Sequence, residues 1–158
     1  MFKLKNHMRK LLLLALVVSA FVFESSAQTV QYKVVTSVES IVPMGLGRSR
    51  IIEEKSPIDA QAFTTERTDG KKSKQGSVKR KDAKVNLFAE TKLLNFYSVA
   101  GINFQNIASN DALISSKINT LVAEGWELAF VTSAVESDSG KGDGKGIFIT
   151  RYIFKKTM

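Results

Sequence analysis

The sequence predicts a small α+β domain, with a central antiparallel sheet and one main helix packed on it. Three stretches carry that prediction. Val30 to Val38 alternates like a strand, Ile114 to Val122 holds a helical stripe closed by Gly125, and Ile147 to Lys155 alternates again after a glycine-rich loop. Strand signals on either side of one strong helix signal suit a helix laid on one face of a sheet.

In the first strand Val30, Tyr32, Val34, Thr36 and Val38 share a face. Gln31, Lys33 and Ser37 share the other, and only Val35 breaks the polar side. The apolar set is therefore expected to point at the core. Pro43-Met44-Gly45-Leu46-Gly47 reads as a turn, because two glycines admit positive φ. Arg48 to Glu54 follows as a second strand, with Arg48, Arg50 and Ile52 on one side. Glycine amides and two arginines could cradle an anion. A plain hairpin turn before a solvated strand needs fewer assumptions.

Ser56 to Lys84 is poor in apolar residues and reads as a mobile basic insertion at about 56–84. Lys71, Lys72, Lys74, Lys79, Arg80 and Lys81 place six positive charges within eleven residues. One reading is contact with an acidic polymer such as nucleic acid, lipopolysaccharide or acidic glycan. The other is a solvated charge run that keeps the loop out of the core. No aromatic residue between Lys71 and Lys81 offers a base a stacking platform. From Val85 to Phe104 the chain is apolar again, but no single period fits it. Core packing is expected there; exposed together, its aromatics would make a partner surface.

Asn110 and Asp111 offer helix N-cap oxygens. Ile114, Ile118, Leu121 and Val122 fall at i, i+4, i+7 and i+8, one apolar stripe. Gly125 suits the left-handed residue that ends a helix, and Trp126 would then pack back on Leu121. Both are assigned structural roles. Glu127 to Val135 is a strand, with Leu128 and Phe130 on one face and Ala129 and Val131 on the other. Ser137 to Gly146 is a polar hairpin connection. In the return strand Ile147, Ile149 and Ile153 line one side, and Phe148, Tyr152 and Phe154 the other. Two apolar faces imply a central strand. Alternatively, Phe148, Tyr152 and Phe154 form an oligomer or ligand face. Glu136, Asp138 and Asp143 lack the spacing of a calcium loop, so no metal and no cofactor is expected.

The first 27 residues read as a secretory signal. Lys3, Lys5, Arg9 and Lys10 precede an apolar run from Leu11 to Phe23, and Ser25-Ser26-Ala27 supplies the small residues before a cut. The run is 13 residues long, against about 20 for a spanning helix. Cleavage after Ala27 is expected, leaving residues 28–158 as a single domain in the periplasm or medium, with no membrane anchor.

The chain has no cysteine, and its only histidine, His7, leaves with the signal. Ser-His-Asp and Cys-His catalysis are excluded, as are zinc sites built on those side chains. A hydrolase would have to use carboxylates. Glu90, Glu124 and Glu127 are the acids embedded in apolar sequence, and such an enzyme needs two acids in one cleft.

Tyr32-Lys33-Val34-Val35, Ala123-Glu124-Gly125-Trp126-Glu127-Leu128 and Tyr152-Ile153-Phe154-Lys155-Lys156 together resemble a family of small bacterial domains of unknown function. The resemblance covers roughly Val30 to Val38 and Asn110 to Lys156. It implies a β-α-β-β core with the helix on an antiparallel sheet and no particular reaction; this chain departs from the family in its export and in a long segment, about Glu39 to Ser109, inserted where the family usually has a short connection. The expected function is a non-enzymatic binding or assembly module of the bacterial cell envelope. A homo-oligomer or an envelope protein is the expected partner. Polyanion binding through residues 71–81 and a carboxylate hydrolase are the alternatives.

Overall fold

Alternating, β-branched segments pair here into one five-stranded antiparallel sheet. The computed structural model describes residues 6–8, 10–11, 29–40, 48–98, 100–136 and 146–158. Val30–Thr157 forms one unit, while Met1–Thr29 with Met158 forms another. In the latter unit residues 6–8 and 10–11 are helical. The expected cleavage point after Ala27, the turn at 43–47, Asp138 and Asp143 lie outside the described residues.

In chain order the strands are β1 (Val30–Ser40), β2 (Arg50–Glu54), β3 (Arg67–Thr68), β4 (Lys72–Ser73), β5 (Phe88–Lys92), β6 (Tyr97–Ser98), β7 (Gly101–Ile102), β8 (Glu127–Val135) and β9 (Ile147–Thr157), with helix α1 (Phe104–Ala123) between β7 and β8. The main sheet runs β5-β2-β1-β9-β8, and every neighbouring pair is antiparallel. Strand β9 is interior, as its two apolar faces imply.

Segment 39–109 takes part in the main fold. It supplies β2 and β5 to the main sheet and the first part of α1. Within 56–84 the chain forms 3-10 turns at Ala60–Phe63 and Gln75–Ser77, and the small β3–β4 ribbon.

The helix covers one face of the sheet. Val35, Ile51, Leu93, Leu121, Trp126 and Phe154 form the buried core, with Ile114, Ile118, Leu128 and Tyr152 packed against it. This reverses the expected orientation of β1. Val35 and Ser37 are buried, whereas Val30, Tyr32 and Val34 are exposed on the opposite face. The side that the helix covers carries one apolar residue of β1, Val35, among Gln31, Lys33, Ser37 and Glu39, so alternation within β1 points to the opposite face from the one buried.

The same geometry decides β9. Val35 pairs with Tyr152 and Lys33 with Phe154, which sets those aromatics under the helix. Phe154 is fully buried and Tyr152 is half-buried. An outward-facing surface of Phe148, Tyr152 and Phe154 is therefore corrected. Two of these side chains are core, and only Phe148, beyond the core cluster, is exposed.

Helix α1 starts seven residues earlier than its sequence pattern suggests. Its N-cap is Asn103, whose Oδ1 accepts from the Asn106 N–H at 3.1 Å. Asn110 is not a cap but a fully buried interior residue. Its Oδ1 accepts from the Leu94 N–H at 2.7 Å, and its Nδ2 donates to the Leu94 carbonyl at 2.8 Å and to Glu39 Oε1 at 3.1 Å. Asn106 adds a bond to the Asn95 carbonyl at 2.8 Å. The first turns of α1 thus dock through amides, which a hydrophobic stripe cannot reveal. Val122, expected in the stripe, is exposed.

The helix end follows the sequence reading. Gly125 has φ +87, its N–H donates to the Val122 carbonyl at 2.9 Å, and the Trp126 N–H donates to the Leu121 carbonyl at 3.0 Å. These are the two bonds of a Schellman motif, and Trp126 and Leu121 share the core. Lys156 Nζ donates to the free Glu124 carbonyl at 2.8 Å, placing a cation at the negative end of the helix dipole. Gly125→Ala is expected to cost about 1–2 kcal/mol, because an L side chain is strained at this φ. A melt would read this as a loss of about 5 °C.

Candidate interaction surface

Among the described residues, α1 packs on one face of the main sheet and no α-helix packs on the other. Along β1 this face carries Val30, Tyr32, Val34, Thr36 and Val38. Val34 sits opposite Ile153, Val38 opposite Ile149, and Thr36 opposite Ile52 of β2. Tyr32 is 64% exposed and Val34 41%.

Strand β8 extends the patch by way of a bulge. Leu128 pairs with Phe154 but Phe130 pairs with Ile153, so one extra residue flips the alternation between them. Leu128 and Phe130 therefore point to opposite faces, contrary to simple alternation. Leu128 goes under the helix, and Phe130 stands 61% exposed on the open face.

At the β2–β5 side the open face deepens into a groove of about 730 Å³. Val38, Ile52, Val85, Phe88 and Ile147 supply its apolar lining, and Arg48, Arg50, Glu54, Glu90 and Glu136 its charges. Arg48, Arg50 and Ile52 do share a side, as the sequence suggested. Arg50 Nη1 pairs with Glu90 Oε1 at 2.7 Å, so this arginine has a carboxylate partner already.

The three acids singled out from sequence do not meet. Glu90 lies in the groove, Glu124 is the exposed C-cap of α1, and Glu127 pairs with Lys155 at 3.2 Å on β8. Among the described residues, no three His, Asp or Glu side chains are grouped to hold a metal ion, and no helix is long and apolar enough to cross a membrane. Lys71, Lys74, Lys79, Arg80 and Lys81 are exposed, and among the described residues no carboxylate lies within ion-pair distance of them.

The helix-covered face holds a cluster that the sequence reading missed. Glu53 is 2% exposed. Its Oε1 accepts from Lys33 Nζ at 3.1 Å and Lys55 Nζ at 2.7 Å, and its Oε2 from Lys117 Nζ on α1. Burial would raise the carboxyl pKa, but the three ammonium groups outweigh it and hold the pKa down at about 2. Lys33 Nζ also lies 4.9 Å from the centre of the Trp126 ring, a cation–π contact. The available signal was Glu53 itself, an acid two residues after Ile51 on an apolar strand face. At the other end of the interface, burial raises the pKa of Glu39 despite its bond from Asn110. Burial also raises that of Tyr152.

No family model, curated protein or solved structure matches this chain.

Proposed function

We propose that the protein is a non-enzymatic binding or assembly module of the bacterial cell envelope, exported by cleavage after Ala27, with the open sheet face as its working surface. The observation that carries the proposal is that face: Tyr32, Val34 and Phe130 stand exposed there beside half-buried Ile153, and among the described residues no α-helix packs over them. A monomeric soluble protein rarely leaves a large continuous apolar patch without a partner for it. The groove beside the patch adds charges of both signs at its margin, which would orient what binds. The absence of His and Cys from residues 28–158 favours binding over turnover. Of the acids singled out from sequence, Glu124 and Glu127 stand apart from the groove, while Glu90, paired with Arg50, shares it with Glu54 and Glu136, so the hydrolase alternative now rests on these three.

Photo-cross-linking in the cell of origin tests the reading. A photoreactive residue at Tyr32 or Val34 is expected to give discrete adducts, and one at exposed Asn119 of α1 none. No adduct at either sheet position would reject it. An intact mass of the envelope fraction checks the processing independently.

A second reading is polyanion contact through the basic segment, favoured by five exposed cations that form no ion pair among the described residues. Heparin affinity is expected to fall steeply with salt, because neutralised anionic groups release counterions. Replacing Lys71, Lys72, Lys74, Lys79, Arg80 and Lys81 by Ser should remove most of that affinity. Unchanged retention on a heparin column would dismiss this reading.

A further inference from the structure

We infer that Lys33, Lys55 and Lys117 form a binding site for a phosphate group, as the free ion or a small monoester, on the helix-covered side of the domain. The inference is separate from the open-face reading and from the basic segment, because it uses neither. Three parts of the chain supply the site: Lys33 comes from β1, Lys55 follows β2, and Lys117 belongs to α1. Their ammonium groups converge on the Glu53 carboxylate, two on Oε1 and one on Oε2.

One lysine would neutralise Glu53. The other two leave a surplus of two positive charges, and among the described residues none of the three makes an ion pair with another acid. Glu54, the next acid along the chain, lines the groove on the opposite face. Lys156 adds to the excess, since its Nζ lies 5.9 Å from the centre of the Trp126 ring that Lys33 also approaches. Each ammonium has three N–H donors and gives one to Glu53, so two per lysine are left over. The side chains of Lys33, Lys55 and Lys117 are 19%, 44% and 23% exposed, against 2% for Glu53. The acid is sealed in, while the spare donors reach solvent.

Geometry and charge select the ligand. Nitrogens bonded to one oxygen at 3.1 and 2.7 Å, as those of Lys33 and Lys55 are, stand no more than about 6 Å apart. Two oxygens of one tetrahedral anion can each accept from one of them at about 2.8 Å, the usual length of a charged hydrogen bond. A phosphate group carries about −1.5 to −2 charges at pH 7 and three acceptor oxygens, which matches the surplus. A lone carboxylate would cancel only half of it. Glu53 draws the three long side chains together before a ligand arrives, so less ordering is left for binding to accomplish.

Calorimetric titration of the purified protein with inorganic phosphate, at ionic strength fixed with sodium chloride, tests the inference. Saturable binding with a Kd of about 1 mM is expected for a site open to water and salt. A parallel titration with methyl phosphate separates the sources: comparable affinity extends the site to esters, and weaker binding confines it to the free ion. Lys55→Gln and Lys117→Gln are each expected to weaken phosphate binding by about tenfold, for the loss of one charged hydrogen bond. Circular dichroism checks that both variants are folded. Replacing the six basic residues of 71–81 by Ser should leave the affinity unchanged. No saturable heat up to about 50 mM phosphate, or an affinity untouched by both lysine variants, would overturn the inference. Phosphate binding lost only in the six-serine variant would also overturn it, and would move the anion to the basic segment.

Discussion

Replacing Glu53 by alanine is expected to destabilise the domain by about 3 kcal/mol, the low end for breaking a buried ion pair. Three ammonium groups converge on this carboxylate from β1, the end of β2 and α1. Without it, Lys33, Lys55 and Lys117 would repel one another at the helix–sheet boundary. The lysines are partly exposed, so some of their solvation would be recovered, which keeps the cost from being larger. Glu53→Gln keeps acceptor oxygen but not charge, and should fall between wild type and alanine. Urea titrations of the three proteins would check the order.

The same cluster sets an acid limb of stability. The Glu53 pKa is about 2 when folded, against an ordinary 4.5. The carboxylate is the form the folded state prefers, so its contribution is full above about pH 4.5 and is lost as pH falls toward 2. That contribution is about 2 kcal/mol, allowing for solvent at the partly exposed lysines. Glu39 acts in the opposite sense. Its pKa is raised by burial, so ionising it costs stability as pH rises from 4.5 through its folded value. In Glu53→Gln the loss between pH 4.5 and 2 should shrink. An unchanged acid limb in that variant would remove Glu53 as its source.

Asn110→Ala is expected to cost about 2–4 kcal/mol, for a different reason. One buried amide satisfies both the N–H and the carbonyl of Leu94 and also binds Glu39. Alanine would leave those backbone groups without their partner at a part-buried site, at about 1–3 kcal/mol for each group left unsatisfied. Asn110→Asp keeps the acceptor for the Leu94 N–H but opposes Glu39 and the Leu94 carbonyl, so it should be no better than alanine. Thermal melts would show both variants well below wild type.

These residues also explain what could be read from the sequence. The strands β1, β8 and β9 and the end of α1 were legible, because alternation and the Gly125-Trp126 closure act locally. The helix start was not. Its first turns dock through half-buried Asn106 and buried Asn110, whose partners are backbone atoms of 94–95, and an amide contact leaves no hydrophobic period to read. Strand β5 was hidden for a related reason: it is a short edge strand with Glu90 and Lys92 outward, and only its pairing with β2 makes it a strand. The orientation of β1 was hidden because a residue such as Tyr32 reads as core whichever face the helix covers. The exposed patch follows from that reversal, and so does the candidate surface.

A titration with an apolar fluorescent dye, comparing wild type with Tyr32→Ser/Val34→Thr, separates an exposed binding face from a second core. If the open face is a working surface, the double variant loses most dye binding while its melting temperature stays within about 2 °C, as expected for surface positions. Full dye binding in a variant that melts far lower would mean that these side chains hold the fold together rather than meet a partner.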